Sequence, residues 1–162
     1  MKGKTLCLIA AFALAGGIAL SAQNKADPRI GKQLDKVGVK YTTTKSGNYS
    51  IDFSRDGDRQ QTVYIMSKTE TYGGIEIREI WSNAGTFDAE PTAKVMLELL
   101  SENDTEKIGA WNVETSDDGS YLAYFSIKVP SYVKDKDLSD LLEFASNVAD
   151  EMEAKLFNVD EN

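Results

Sequence analysis

Hydrophobic positions along the chain change their period several times, and each change marks an element. Ile30, Leu34 and Val37 recur at three- and four-residue spacing, which predicts a short amphipathic helix. Asp27 is placed to cap it, Pro28 sits in its first turn where a missing amide costs nothing, and Gly38 supplies a stop. From Val39 the period becomes two. Val39, Tyr41 and Thr43 alternate with polar neighbours up to the turn cluster Lys45-Ser46-Gly47-Asn48, and Tyr49, Ile51 and Phe53 then alternate with Ser50, Asp52 and Ser54. After the Asp-Gly step of Arg55-Asp56-Gly57-Asp58, Val63 and Ile65 alternate with Tyr64 and Met66, which completes a three-stranded meander. A fourth strand over 75–81 follows Tyr72-Gly73-Gly74, and its charges at Glu76, Arg78 and Glu79 predict one wet face. Residues 83–89 read as loop.

Glu90-Pro91 opens a helix whose stripe is Val95, Met96, Leu99 and Leu100, and Asn103-Asp104-Thr105 ends it. Strands over 108–114 and 121–129 are joined by Ser116-Asp117-Asp118-Gly119, a connection short enough to force antiparallel pairing. Pro130 closes the sheet. From near Asp137, Leu138, Leu141, Leu142, Ala145, Val148, Ala149, Met152 and Leu156 cover one side of a long helix, with Glu151 and Lys155 spaced as an ion pair. The order α-β-β-β-β-α-β-β-α predicts the α+β class, one antiparallel sheet with helices packed on it.

The amino terminus is different in kind. Lys2 and Lys4 precede an uncharged apolar run over 6–20, followed by the small residues Ser21 and Ala22. That order predicts a signal peptide over 1–22, and the run is shorter than the roughly 20 residues that span a bilayer. The remainder, 23–162, is expected to be a single domain, periplasmic or secreted, with no membrane span once the leader is removed. Removal takes two lysines, no acid and Cys7, so the net charge deepens from −8 to −10 and the working protein has neither Cys nor His.

These absences narrow the chemistry. Without His there is no Ser-His-Asp or Cys-His nucleophile and no imidazole ligand. Asp56-Gly57-Asp58, Asp117-Asp118-Gly119 and Asp135-Lys136-Asp137 lack the ligand spacing of an EF-hand loop and suit turns or caps instead. Glu76 and Glu79 have opposite parity along their strand, so they point to opposite faces and cannot form a glycosidase-like pair. Phosphate-loop and dinucleotide patterns are absent. The chain is therefore expected to be no enzyme and to hold no cofactor or metal. Its acidic balance also argues against nucleic acid or anionic membrane as partners.

Binding remains. Tyr64, Tyr72, Trp81, Trp111, Tyr121 and Tyr124 fall in or beside strands, where aromatic residues build either a core or a partner-binding face. Tyr64, Tyr72, Trp81 and Trp111 are the candidate protein-binding residues.

Thr62-Val63-Tyr64-Ile65, Thr71-Tyr72-Gly73-Gly74-Ile75-Glu76-Ile77-Arg78-Glu79-Ile80-Trp81-Ser82, Leu99-Leu100 with Asn103, Lys107-Ile108-Gly109-Ala110-Trp111, and Ala149-Asp150-Glu151-Met152-Glu153 together resemble the YbjN-like family. That family is described as candidate bacterial sensory-transduction regulators with the fold of type III secretion chaperones, and the resemblance covers about residues 28–157. It implies a small, non-enzymatic, often dimeric protein-binding module and carries no catalytic residues. Secretion chaperones of this fold act in the cytoplasm, whereas this chain carries an export signal. The function expected is an exported protein-binding, chaperone-like or regulatory homodimer acting on another protein or peptide segment. The alternatives are a small-ligand or lipid carrier using the space between the sheet and the last helix, and, lowest, a carboxylate-dependent hydrolase.

Overall fold

Alternation decides which side of each strand meets the helices. Val63 and Ile65 are fully buried while Tyr64 and Met66, which alternate with them, are half-buried, and the same rule repeats across the sheet. The computed structural model describes residues 25–55 and 59–157. The predicted leader and the Asp56-Gly57-Asp58 turn lie outside the described residues.

The elements are α1 (Pro28–Val37), β1 (Thr42–Thr43), β2 (Tyr49–Ser54), β3 (Gln60–Tyr72), β4 (Ile75–Phe87), α2 (Ala93–Thr105), β5 (Ala110–Thr115), β6 (Tyr121–Pro130) and α3 (Asp135–Phe157). The strands form one antiparallel sheet in the order β1-β2-β3-β4-β6-β5. This is the α+β order expected from the sequence. Asp27 caps α1 by accepting the Arg29 backbone N–H at 3.0 Å, and Gly38 ends it with φ 71°, a conformation that favours glycine. The Asp118 carboxylate accepts the Ser120 N–H at 3.0 Å in the β5–β6 turn, the local role that turn chemistry gives an aspartate there.

Several expectations need correction. Residues 83–87 are strand, not loop: Asn83 and Gly85 sit at a register shift against β6, where the Asn83 Oδ1 accepts the Gly85 N–H at 2.7 Å and pairing resumes with Ala123. The strand predicted from Val39 contracts to Thr42–Thr43, and β3 runs on to Tyr72 because its polar end pairs with β4 as a hairpin. The second helix starts at Ala93, with the Thr92 hydroxyl as its cap. Lys155 does not pair with Glu151. It reaches Glu98 at 2.9 Å and Glu102 at 2.7 Å, tying α3 to α2.

The core lies between the sheet and α1 and α3. Ile65, Ile80, Phe125 and Ile127 from the strands and Leu138, Leu142, Ala145 and Ala149 from α3 are all essentially inaccessible. Of the stripe predicted on α2, Leu99 is buried and Val95 half-buried, while Met96 and Leu100 face outward beside Leu97. The helix sits against the edge strand β5, so only a narrow line of it is covered. Among the described residues, no helix is long and apolar enough to cross a membrane.

Candidate binding face

The side chains of the opposite parity form the other face of the sheet. Tyr64 of β3, Trp81 of β4 and Tyr124 of β6 line up across three neighbouring strands. Tyr64 stacks on Trp81 with centroids 4.5 Å apart and planes 22° from parallel, and Trp81 meets Tyr124 edge-on at 5.7 Å and 69°. The Trp81 indole N–H donates to the Met66 sulfur at 3.3 Å, so the ring is held from two sides. These residues are half-buried, and no helix among the described residues lies over them.

Two shallow hollows flank the aromatic row. One, about 220 Å³, is lined by Met66, Lys68, Glu70, Ile77, Glu79 and Lys128. The other, about 190 Å³, is lined by Met66, Glu79, Trp81, Glu114, Leu122 and Tyr124. Burial, and then the charges of Glu114 and Glu79, push the Tyr124 hydroxyl above its ordinary range. An aromatic centre with a charged rim is the anatomy of a protein-binding surface.

The structure brings together only some of the predicted residues. Tyr64 and Trp81 are in stacking contact on the open face. Tyr72 stands at the tip of the β3–β4 hairpin, 80% exposed, away from them. Trp111 has the opposite parity: it is 6% exposed and packs on Phe125 at 5.4 Å on the helix side, so its role is in the core. Tyr124 belongs to the row although it was not among the candidates. Its parity marks it, because Tyr124 shares it with Leu122 and Lys128, whereas Ala123, Phe125, Ile127 and Val129 form the buried set.

The acids of β4 separate as their parity predicts. Glu79 is on the open face, and Glu76 is on the helix side with Arg78. Arg78 is 3% exposed, which corrects the reading of these charges as one solvated face. Glu76 accepts from Arg29, Ser131 and Thr69, and these bonds hold its carboxyl well below the usual range. A carboxylate held ionised in this way is the opposite of a general acid. Burial disfavours charge on Asp27, but bonds from Arg29 and Arg78 outweigh it and bring its pKa down to about 2. Among the described residues, no three metal-ligating side chains cluster to hold an ion.

No protein-family model matches the chain, and no curated protein matches it. Among solved structures, the crystal structure of YbjN from E. coli, described as a candidate transcription regulator, is similar at a TM-score of 0.50 and 11% identity. The similarity covers 81% of this chain and 92% of that one. The chain has the YbjN-like fold.

Proposed function

We propose that the protein is an exported, non-enzymatic binding module that engages an extended segment of another protein through the open face of its sheet. The observation that carries this reading is the Tyr64–Trp81–Tyr124 row, over which no helix of the described residues lies, with Lys68, Glu70, Glu79, Lys128 and Glu114 around it. Export rests on the charged, apolar and small-residue order of 1–22 and places the protein in the periplasm or outside the cell. A homodimer is supported by the outward Leu97, Leu100 and Met96 of α2, an apolar line that a second copy would cover.

The test is site-specific photocrosslinking in cells expressing the full chain. A crosslinker at Thr62, on the open face, should capture a defined partner; capture should vanish when Trp81→Ala is added and should not occur from Lys36 on α1. Equal capture from both positions, or capture indifferent to Trp81, refutes the face. Amino-terminal sequencing of the exported form should begin near Gln23, and an uncleaved chain retained inside the cell refutes export.

A further inference from the structure

The hollow beside Trp81 has a more specific chemistry than the face around it. Trp81 and Tyr124 cross at 69°, so their rings stand as two walls of a corner. Tyr64 behind Trp81 and the bond from its N–H to Met66 fix the indole in that position. Met66 and Leu122 complete an apolar lining, and the two charged side chains at the hollow are both carboxylates, Glu79 and Glu114.

Neither carboxylate has an ion-pair partner among the described residues. Lys128 stands opposite Glu79 in the β4–β6 register but does not close a pair with it, and among the described residues no cation lines this hollow. The Tyr124 hydroxyl, raised first by burial and then by Glu114 and Glu79, shows that both charges act on the same space. Aromatic faces and carboxylates attract cations, and apolar walls strengthen that attraction by excluding water. A volume of about 190 Å³ accommodates a planar cationic head.

We propose that this hollow receives an arginine side chain of the bound polypeptide, its guanidinium set against Trp81 and Tyr124 and paired with Glu79 and Glu114. The assignment rests on the open face being the protein-binding face. Arginine fits better than lysine because its flat fork can stack on a ring and donate to a carboxylate at once, whereas an ammonium is a compact, strongly hydrated charge.

The two tryptophans make the test direct, since each gives one indole N–H signal in a ¹⁵N-correlated NMR spectrum and Trp81→Phe assigns them. The probe is an acetylated, amidated heptapeptide with one arginine between valines, compared with the same peptide carrying neutral, near-isosteric citrulline. The arginine peptide should shift the Trp81 signal saturably and leave Trp111 in place. Citrulline, or Glu79→Gln with Glu114→Gln in the protein, should weaken binding at least tenfold with the thermal midpoint of the double variant unchanged. Affinity should also fall as salt rises.

Equal binding of the citrulline peptide, or binding indifferent to the double variant, overturns the proposal. Tighter binding of tetramethylammonium than of the arginine peptide overturns it in favour of a quaternary ammonium ligand. Those failures leave capture from Thr62 untouched. Loss of that capture with arginine binding intact refutes the polypeptide partner instead.

Discussion

Arg78 and Asp27, fifty-one residues apart, meet at 2.6 Å through Nη2 and Oδ2, with 3% and 11% of their side chains exposed. The second guanidinium nitrogen donates to the Met66 carbonyl at 2.6 Å, where β3 shifts register between Ile65 and Thr69. One side chain thus joins the cap of α1 to the irregular stretch of β3 and satisfies a carbonyl that the shift takes out of the ladder.

Removing one partner of a buried ion pair strands the other, at a cost of about 3–5 kcal/mol. Arg29 still pairs with Asp27 at 2.7 Å, so Arg78→Met should cost less than that range, about 2–3 kcal/mol in urea titration, mostly from the Met66 carbonyl left without its donor. Arg78→Lys should fall between the two, because an ammonium restores the charge but cannot reach both Asp27 and the Met66 carbonyl. A Met variant as stable as the parent would mean that the pair is dispensable to the fold.

The same pair sets a pH dependence. Asp27 moves from 3.8 to about 2 on folding, against its burial, through bonds from Arg29 and Arg78. A lowered folded-state pKa gives stability that is fully present above the unfolded value and drains away as pH falls towards the folded one. The urea midpoint should hold near neutrality and drop between about pH 4 and pH 2. Glu76 moves in the same direction, so Asp27→Asn should flatten this slope without abolishing it. A midpoint that rises on acidification through that window contradicts the assignment.

Where local pattern and tertiary demand agree, the fold is legible from residues alone. Tyr49, Ile51 and Phe53 alternate because one side of β2 is buried, and Asp27-Pro28 caps α1 by its own short-range chemistry. Residues 83–87 are not legible in this way, since Asn83 and Gly85 are turn residues and only β6 across the sheet draws them into a strand. Arg78 is opaque for the same reason, because its burial depends on Asp27, fifty-one residues away in sequence. The candidate site is legible in part. Aromatic type places Tyr64, Trp81 and Trp111 in strands, but the face each takes depends on parity relative to the buried set, which separates Trp111 from the other two and adds Tyr124.

Gly109 and Gly119 offer a paired test of backbone fit. Gly109 has φ +97°, and a Cβ there would lie 2.6 Å from the Phe125 ring and 2.7 Å from the Ser126 carbonyl oxygen, which cannot swing aside. Gly119 has φ +86° but open space around it. Alanine at 119 should cost about 1 kcal/mol from the left-handed backbone alone, and alanine at 109 should cost about 2–4 kcal/mol through added overlap. Thermal unfolding measures both, and equal losses would show that space at 109 is not limiting.

The outward side of α2 separates assembly from folding. Leu97 and Leu100 are 64% and 62% exposed, so glutamate at both positions removes little buried surface from the monomer. If a second copy covers them, the double substitution places four carboxylates in an apolar interface and should convert dimer to monomer in light scattering, with stability of the isolated subunit within about 0.5 kcal/mol. A parent protein that is already monomeric at micromolar concentration contradicts the proposed dimer.

The two tryptophans should divide function from stability. Trp111 is 6% exposed and packed against Phe125, so Trp111→Ala opens a cavity in the core and should cost about 3–5 kcal/mol. Trp81 has no helix of the described residues over it; its ring leans on Tyr64, Tyr124 and Met66, contacts that partly survive in water. Trp81→Ala should cost less, about 1–2 kcal/mol, while abolishing capture from Thr62 and leaving far-ultraviolet circular dichroism unchanged. Trp111→Ala should keep that capture wherever the variant remains folded, so stability and capture measured together on both variants assign each ring to its face. Capture lost with Trp111 but retained without Trp81 would place the binding surface on the helix side and overturn the reading of the open face.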